Sequence, residues 1–351
     1  MAYELMSRED YQISYAICAA ANDLTDWRNG GIKLAEAELN ACDWFHSGII
    51  RHTKPKYVRI NSAPATHYPK RLTAGAFLGS FRPTFYLQTG IFTYAVMGVC
   101  ATTEATPNIH AITKDTNESP VFLAFHIEKE GTTHARRKDI VGMVPKSIDI
   151  SCSEKSTIAF QHLDWDFSQT IAADDIDVPT ALVQATHIPY NWFHYKDASS
   201  GSLFEYNSDA FDVDIVGFNM HIGWSGAYMG AYNGSGYPTQ GLYTPPFNGV
   251  VTLDLKIKDG NTAVIDTVAD LDHASYAGDI VFTANFYESA TRYLKYTFTD
   301  MLINPDYDEK FQNEGDWYDG IQITLEPRNE TTTVVVEEKN ALDNDNYENP
   351  A

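Results

Sequence analysis

The chain has 351 residues, 44% of them hydrophobic and 13% aromatic, enough for one large β domain or two modest ones with a sizeable core. Its formal net charge of −22 argues against a sequence-reading or DNA-wrapping protein, which needs cations to displace counterions. No apolar run of about 18 residues is present to cross a bilayer as a helix, and the acidic start Met1-Ala2-Tyr3-Glu4 lacks the form of a secretory signal.

In chain order, Ile32 to Phe45 carries Leu34, Leu39 and Cys42 among good helix formers and suggests a short helix. Between Trp44 and Thr103 there is no acid, yet Arg51, Lys54, Lys56, Arg59, Lys70, Arg71 and Arg82 are present. This is either a solvated basic loop or an arm that docks on an acidic neighbour, such as another copy of the chain. Two strands are expected at Phe81–Thr89 and Ile91–Val99. The second could instead be helical, because a short apolar run does not reveal its own period. Val121–Glu128 and Ala135–Val141 form a strand pair around Glu130-Gly131, and Ile148, Ile150 and Cys152 alternate with polar residues as a half-buried strand should. Ala159–Ser168 continues the pattern more loosely.

From Ile171 to Asn248 Tyr, Trp, His, Asn, Gly and Pro accumulate, as turns and loops with aromatic anchors, crossed by one strand at Phe211–Ile222. Val251, Leu253, Leu255 and Ile257 then alternate with Thr252, Asp254, Lys256 and Lys258, the pattern of an antiparallel strand with one buried face. Asn261 and Thr262 can cap a short helix bearing Val264, Val268 and Leu271. Strands follow at Ile280–Phe286 and Leu294–Phe298, with an edge strand at Thr331–Val336. The acidic tail Glu337–Ala351 is expected to be disordered.

A search for chemistry returns little. His126 and Glu128 make the H-x-E of zinc deaminases, but no P-C-x-x-C follows, and a surface pair on one strand face is the plainer reading. His187 and His194 sit among Tyr190, Trp192 and Phe193, an aromatic loop packed on its own domain or a sugar or metal site. Asp343, Asp345 and Glu348 lack the glycine and terminal glutamate of a calcium loop. Asp164 and Asp166 flank Trp165 on one strand, whereas glycosidase carboxylates face each other across a cleft. Cys18, Cys42, Cys100 and Cys152 are scattered, as free thiols of a reducing compartment are; a disulfide between two of them is the alternative. Asn117, Asn233 and Asn329 fit the glycosylation sequon by chance. No catalytic residue, cofactor site or metal site is expected.

The order of segments resembles a known family. Leu72-Thr73-Ala74-Gly75-Ala76-Phe77-Leu78-Gly79-Ser80 precedes an apolar run ending Tyr94-Ala95-Val96-Met97-Gly98-Val99. Ser119-Pro120-Val121-Phe122-Leu123-Ala124-Phe125 enters a hairpin, and Val144-Pro145-Lys146-Ser147-Ile148-Asp149-Ile150 follows. Phe218-Asn219-Met220-His221-Ile222 and the strand–helix–strand unit from Val251 complete the likeness. From Ala65 to Arg328 the pattern is similar to the major tail tube proteins of tailed bacterial and archaeal viruses.

The resemblance implies a mainly β fold, a sandwich or half-barrel with one flanking helix and long loops. Residues 1–64 would be an N-terminal arm, 65–170 and 249–336 the two halves of the β domain, 171–248 an aromatic insertion, and 337–351 the tail. It further implies a non-enzymatic virion protein, made in the host cytoplasm and located in the tail. Copies form hexameric rings, with sheets joined as ring-shaped barrels, stacked into the channel for genome delivery. Partners would be the chain itself, the tail terminator, the baseplate or distal tail and the tape measure, with viral DNA passing unbound. Arg51, Lys54, Lys56, Arg59, Lys70 and Arg71 would be the contacts between subunits. The alternatives are a distal-tail or baseplate ring protein of the same fold, or a carbohydrate-binding β-sandwich using Tyr190–His194 and Tyr228–Tyr243.

Overall fold

A computed structural model describes residues 11–18, 40–51, 57–60, 71–74, 79–116, 121–130, 135–176, 187–196, 204–206, 208–210, 213–230, 240–257, 280–304, 308–310, 320–328 and 333–342. The N-terminal elements are β1 (Tyr11–Cys18), β2 (Asn40–Ala41), β3 (Phe45–Arg51), β4 (Tyr57–Ile60), β5 (Arg71–Ala74), β6 (Gly79–Tyr86) and α1 (Ile91–Met97). Then come β7 (Gly98–Thr103), β8 (Asn108–Lys114), β9 (Phe122–Glu130), β10 (Ala135–Val144), β11 (Ser147–Ser153), β12 (Phe160–Leu163), β13 (Trp165–Ile176) and α2 (Trp192–Lys196). The C-terminal part holds β14 (Phe204–Tyr206), β15 (Asp209–Ala210), β16 (Val213–Gly230), β17 (Gln240–Ile257), β18 (Ile280–Ser289), β19 (Arg292–Ile303), β20 (Asp308–Lys310), β21 (Gly320–Pro327) and β22 (Thr333–Asn340).

The fold is mainly β, and every described pairing is antiparallel. Two bent hairpins fork the sheet. In the first, β10 and β11 run back along β12 and β13, with Pro145 and Lys146 at the bend; β9 flanks β10, while β16 flanks β11. Proline has no amide hydrogen for the ladder, so the bend falls where pairing is interrupted. On the hairpin's far side β6 follows β12 and β13 in one register, and β3 pairs with β6. The second fork is at β19: β18 lies on one edge, and β21 and β22 share the other, leading to β17 and β8 respectively. The pairings form a branched path that does not close into a barrel.

Alternation sends one face of the large sheet inward. Val251, Leu253 and Leu255 are buried as their period requires, beside Ile321, Ile323 and Leu325 of β21. Within the core sits α1, with all seven residues buried. Seven residues are too few to hold a helix in water, so tertiary contacts must hold it. Gly98 ends it at φ 99°, a left-handed conformation that glycine adopts without strain. The last carbonyls take unusual donors: Trp224 Nε1 donates to Val96 O at 2.9 Å and Tyr243 OH to Ala95 O at 3.1 Å, while the Asp115 amide donates to Met97 O. At the other end Gly90 N donates to Glu338 Oε2 at 2.9 Å, an approach a side chain at Gly90 would obstruct, since its Cβ would lie 2.8 Å from that oxygen.

Several expectations change. Ile91–Val99 is not a strand: Ile91–Met97 is helical and enclosed on all sides, so no solvent face gives it a period. Asn40–Ala41 and Phe45–Arg51 are strands at the end of the segment expected to be helical, whose earlier part lies outside the described residues. Phe211–Ile222 extends through β16 to Gly230, paired along its length with β17. The Thr331–Val336 edge strand is β22, an interior strand between β19 and β8. It takes in Glu337–Asn340 of the expected tail, while 343–351 and the Asn261–Leu271 helix lie outside the described residues. Cys42, Cys100 and Cys152 are free thiols. Among the described residues no helix is long and apolar enough to cross a membrane.

Candidate assembly surface

Of the cations in the basic segment, Arg51, Arg59, Arg71 and Arg82 lie on described strands. β3 pairs with β6 and β4 with β5, and from Ser47 onward partner numbers total 131 in both ladders, as for Ser47 with Thr84 and Tyr57 with Ala74. The described parts, Ser47–Arg51 with Ser80–Thr84 and Tyr57–Ile60 with Arg71–Ala74, therefore share one antiparallel register. Arg51 is exposed at the end of β3; Arg59 falls on β4 and Arg71 on β5, in a two-stranded sheet of their own. Lys54, Lys56 and Lys70 lie outside the described residues. The stretch from Trp44 to Thr103 holds seven cations and no acid, leaving 18 cations against 47 acids elsewhere, +7 facing −29.

Among the described strands β3 pairs with β6 alone. Of the usual guards against strand addition, β3 has a bulge between Phe45 and Ser47 and a single charge at Arg51, but no proline and no lysine. Ile49 is 61% exposed on this strand.

Next to β3 lies a polar sheet face, turned away from the core. One row crosses it through Tyr86, Phe160, Ser151, Asn219, Thr252 and Thr324 of β6, β12, β11, β16, β17 and β21. The His46 ring packs at the β3 end of this row, 5.4 Å from Tyr86 and 5.2 Å from Phe160. A neighbouring row holds Thr84, His162, Asp149 and His221. Gly217 offers no side chain between Ser153 and Asp254, and the gap is part of a 320 Å³ pocket that Ser151, Asn219 and Gln322 also line. Arg82, the face's cation near β3, is held by Asp164 at 2.8 Å. His221 Nδ1 donates to Asp149 Oδ1 at 2.7 Å, and this bond holds the imidazole above its ordinary pKa; partial burial pushes His162 down.

Tyr190, Trp192 and His194 of the aromatic loop are buried, as a loop packed on its own domain requires, while Phe193 is exposed. Asn191 caps α2 by accepting from the His194 amide at 3.0 Å. The helix turns Trp192 and Tyr195 inward onto Phe218, and Tyr190 packs on Phe286. Trp224 and Tyr243 stack at 4.8 Å beneath α1.

His126 and Glu128 are not a surface pair. His126 is fully buried, with Nδ1 2.7 Å from Asp139 Oδ1 and Nε2 3.0 Å from Glu128 Oε2. Phe125 on the opposite face of β9 is buried too, so the strand is enclosed on both sides and alternation could not reveal the triad. Among the described residues no group of three metal-ligating side chains is arranged to hold an ion. Asp164 is engaged with Arg82 and shares a strand face with Asp166, so the two do not oppose each other across a cleft. Asp343, Asp345 and Glu348 lie outside the described residues.

Sequence patterns gave no sign of Asp43. It is buried and accepts from the Gln88 and Thr89 amides at 3.2 Å, from Thr89 Oγ1 at 2.9 Å and from Gln161 Nε2. Burial nevertheless pushes its pKa up from 3.8 to about 6. Nor did they indicate Arg292, which donates to Ile188 O at 2.8 Å, pairs with Glu288 and lies 4.2 Å above the Tyr190 ring. No protein-family model matches this chain, and no curated protein matches it.

Proposed function

We propose that the chain is a structural subunit of a viral tail tube, polymerising as stacked hexameric rings around a channel for genome delivery and carrying no enzymatic activity. The observation that supports this most is the antiparallel sheet, unclosed among the described strands, in which β3 has β6 as its one described strand partner and shares a register with the β4–β5 pair, in a stretch whose charge opposes that of the rest of the chain. An open edge is a hazard for a monomer and a bond in a closed ring. The open polar face suits a channel wall: hydroxyls, amides and carboxylates dominate it, Arg82 is neutralised by Asp164, and Lys256 lies opposite Asp214 on the neighbouring strand, so DNA phosphates find little to hold them. The sandwich or half-barrel form, the hexamer and the location in the virion tail belong to the same proposal.

Electron microscopy of the purified chain at high concentration tests it. Rings or tubes are expected; a chain that stays monomeric, and is absent from the tail shaft of the particle, refutes it. Reversing Arg51, Lys54 and Lys56 to Glu should weaken assembly in a graded way while the monomer stays folded, because one exposed ion pair contributes only about 0–1 kcal/mol. Copy number separates a tube protein, which is abundant, from a baseplate or distal-tail ring, which is scarce. The carbohydrate-binding alternative is weakened by the burial of Tyr190, Trp192, Trp224 and Tyr243, whereas Phe193 stays exposed.

A further inference from the structure

Four large apolar side chains gather at one end of β3, though their sequence positions are far apart. Trp44 is 39% exposed, Ile158 37%, Ile188 53% and Phe193 68%. They are half of the eight exposed large apolar residues among those described, so the exposed apolar bulk is concentrated rather than scattered. The segments carrying them are knitted together by main-chain hydrogen bonds: Tyr86 N to Trp44 O, Leu87 N to Ala159 O, Tyr190 N to Leu87 O and Trp192 N to Thr157 O. Ile158 also bridges to Asn191, and Gln88 spans the Trp44 amide and the His187 carbonyl.

The support beneath the patch is stiff. Arg292 fixes the Ile188 carbonyl, and α2 is anchored by buried Trp192 and Tyr195, so Phe193 has no inward site to retreat to. Exposed Trp, Phe and Ile side chains on segments tied together by main-chain hydrogen bonds mark a contact surface rather than scattered exposed apolar residues. What it meets follows from its position. Trp44 immediately precedes β3, which has β6 as its one partner among the described strands and belongs to the basic stretch of opposite charge to the remainder of the chain. The acidic body of another copy is the complement that stretch fits.

We propose that Trp44, Ile158, Ile188 and Phe193 are the apolar centre of the contact between two copies of this chain, flanked by the β3 edge. This rests on the tube reading and identifies the surface through which it would be realised. The test is sedimentation velocity over a wide concentration range on the full chain, its Phe193→Glu and Ile188→Glu variants, and a Val335→Glu control on the outer face of β22. Circular dichroism and thermal melting confirm that each is folded. Both patch variants should raise the assembly midpoint by at least about tenfold, with the control unchanged. If wild type assembles and both folded patch variants match it, the surface serves another partner and the inference is overturned while the tube reading stands. If wild type stays monomeric throughout, both fall. A control that weakens assembly as much as the patch variants also overturns it, since the effect would then be of charge alone.

Discussion

Replacing Asp43 with asparagine should remove a distinct pH dependence of stability. Asp43 is enclosed below α1, and burial lifts its pKa from 3.8 to about 6 despite four donors that favour the carboxylate. The native state thus holds a proton that the unfolded chain releases at lower pH. Stability contributed by this group is full below about 3.8 and is lost as pH rises to about 6. At 1.36 kcal/mol per unit, the loss is about 3 kcal/mol, an order-of-magnitude figure. Asparagine can keep the Gln88 and Thr89 amides on its carbonyl oxygen and donate to Thr89 Oγ1, which rotates to accept, so the geometry survives. Urea unfolding of wild type and the Asp43→Asn variant from pH 4 to 7.5, below the assembly concentration, gives a difference curve. It should favour the variant increasingly with pH and level off near neutrality. A flat difference curve refutes the reasoning and shows that the donors, not burial, control the group.

His126→Ala leaves Asp139 and Glu128 buried without their shared partner, and should cost roughly 3–5 kcal/mol in urea unfolding; a loss below about 1 kcal/mol would mean that water reaches the site. Trp224→Phe keeps a ring but strips the Val96 carbonyl of its donor, for about 1–3 kcal/mol, read in the same way. Asp149→Asn should return the His221 titration towards its ordinary range in an NMR experiment. The stability His221 contributes is present below its unfolded pKa and lost as pH rises through the raised folded value, so it should vanish in the variant.

The strands were legible wherever one face is wet. Ile148, Ile150 and Cys152 announce β11, and Val251 to Leu255 the inner half of β17, because alternation follows solvent exposure. It failed where exposure does not alternate: α1 is buried all round, and β9 buries His126 and Phe125 on opposite faces. Partners distant in sequence were illegible too. Nothing local places β22 between β19 and β8, and its nearness to the end of the chain made it look like an edge. For the candidate surface, composition exposed the basic stretch, but its strands depend on pairings that composition does not show. The patch of Trp44 and Phe193 joins residues that only the fold brings together, while Trp192, equally aromatic, is turned inward by α2 and Tyr190 by its main-chain bonds to Leu87 and Ala159.

The carboxylate that seats Gly90 belongs to Glu338, 248 residues further along the chain. At a translation rate of roughly 5–20 residues per second, the ribosome needs about 12–50 s to deliver that carboxylate after Gly90 has been made. Until then the buried helix has an open end, and no truncated product can complete the core. A chain released before β22 is made lacks that carboxylate and leaves the amino end of the buried helix unseated.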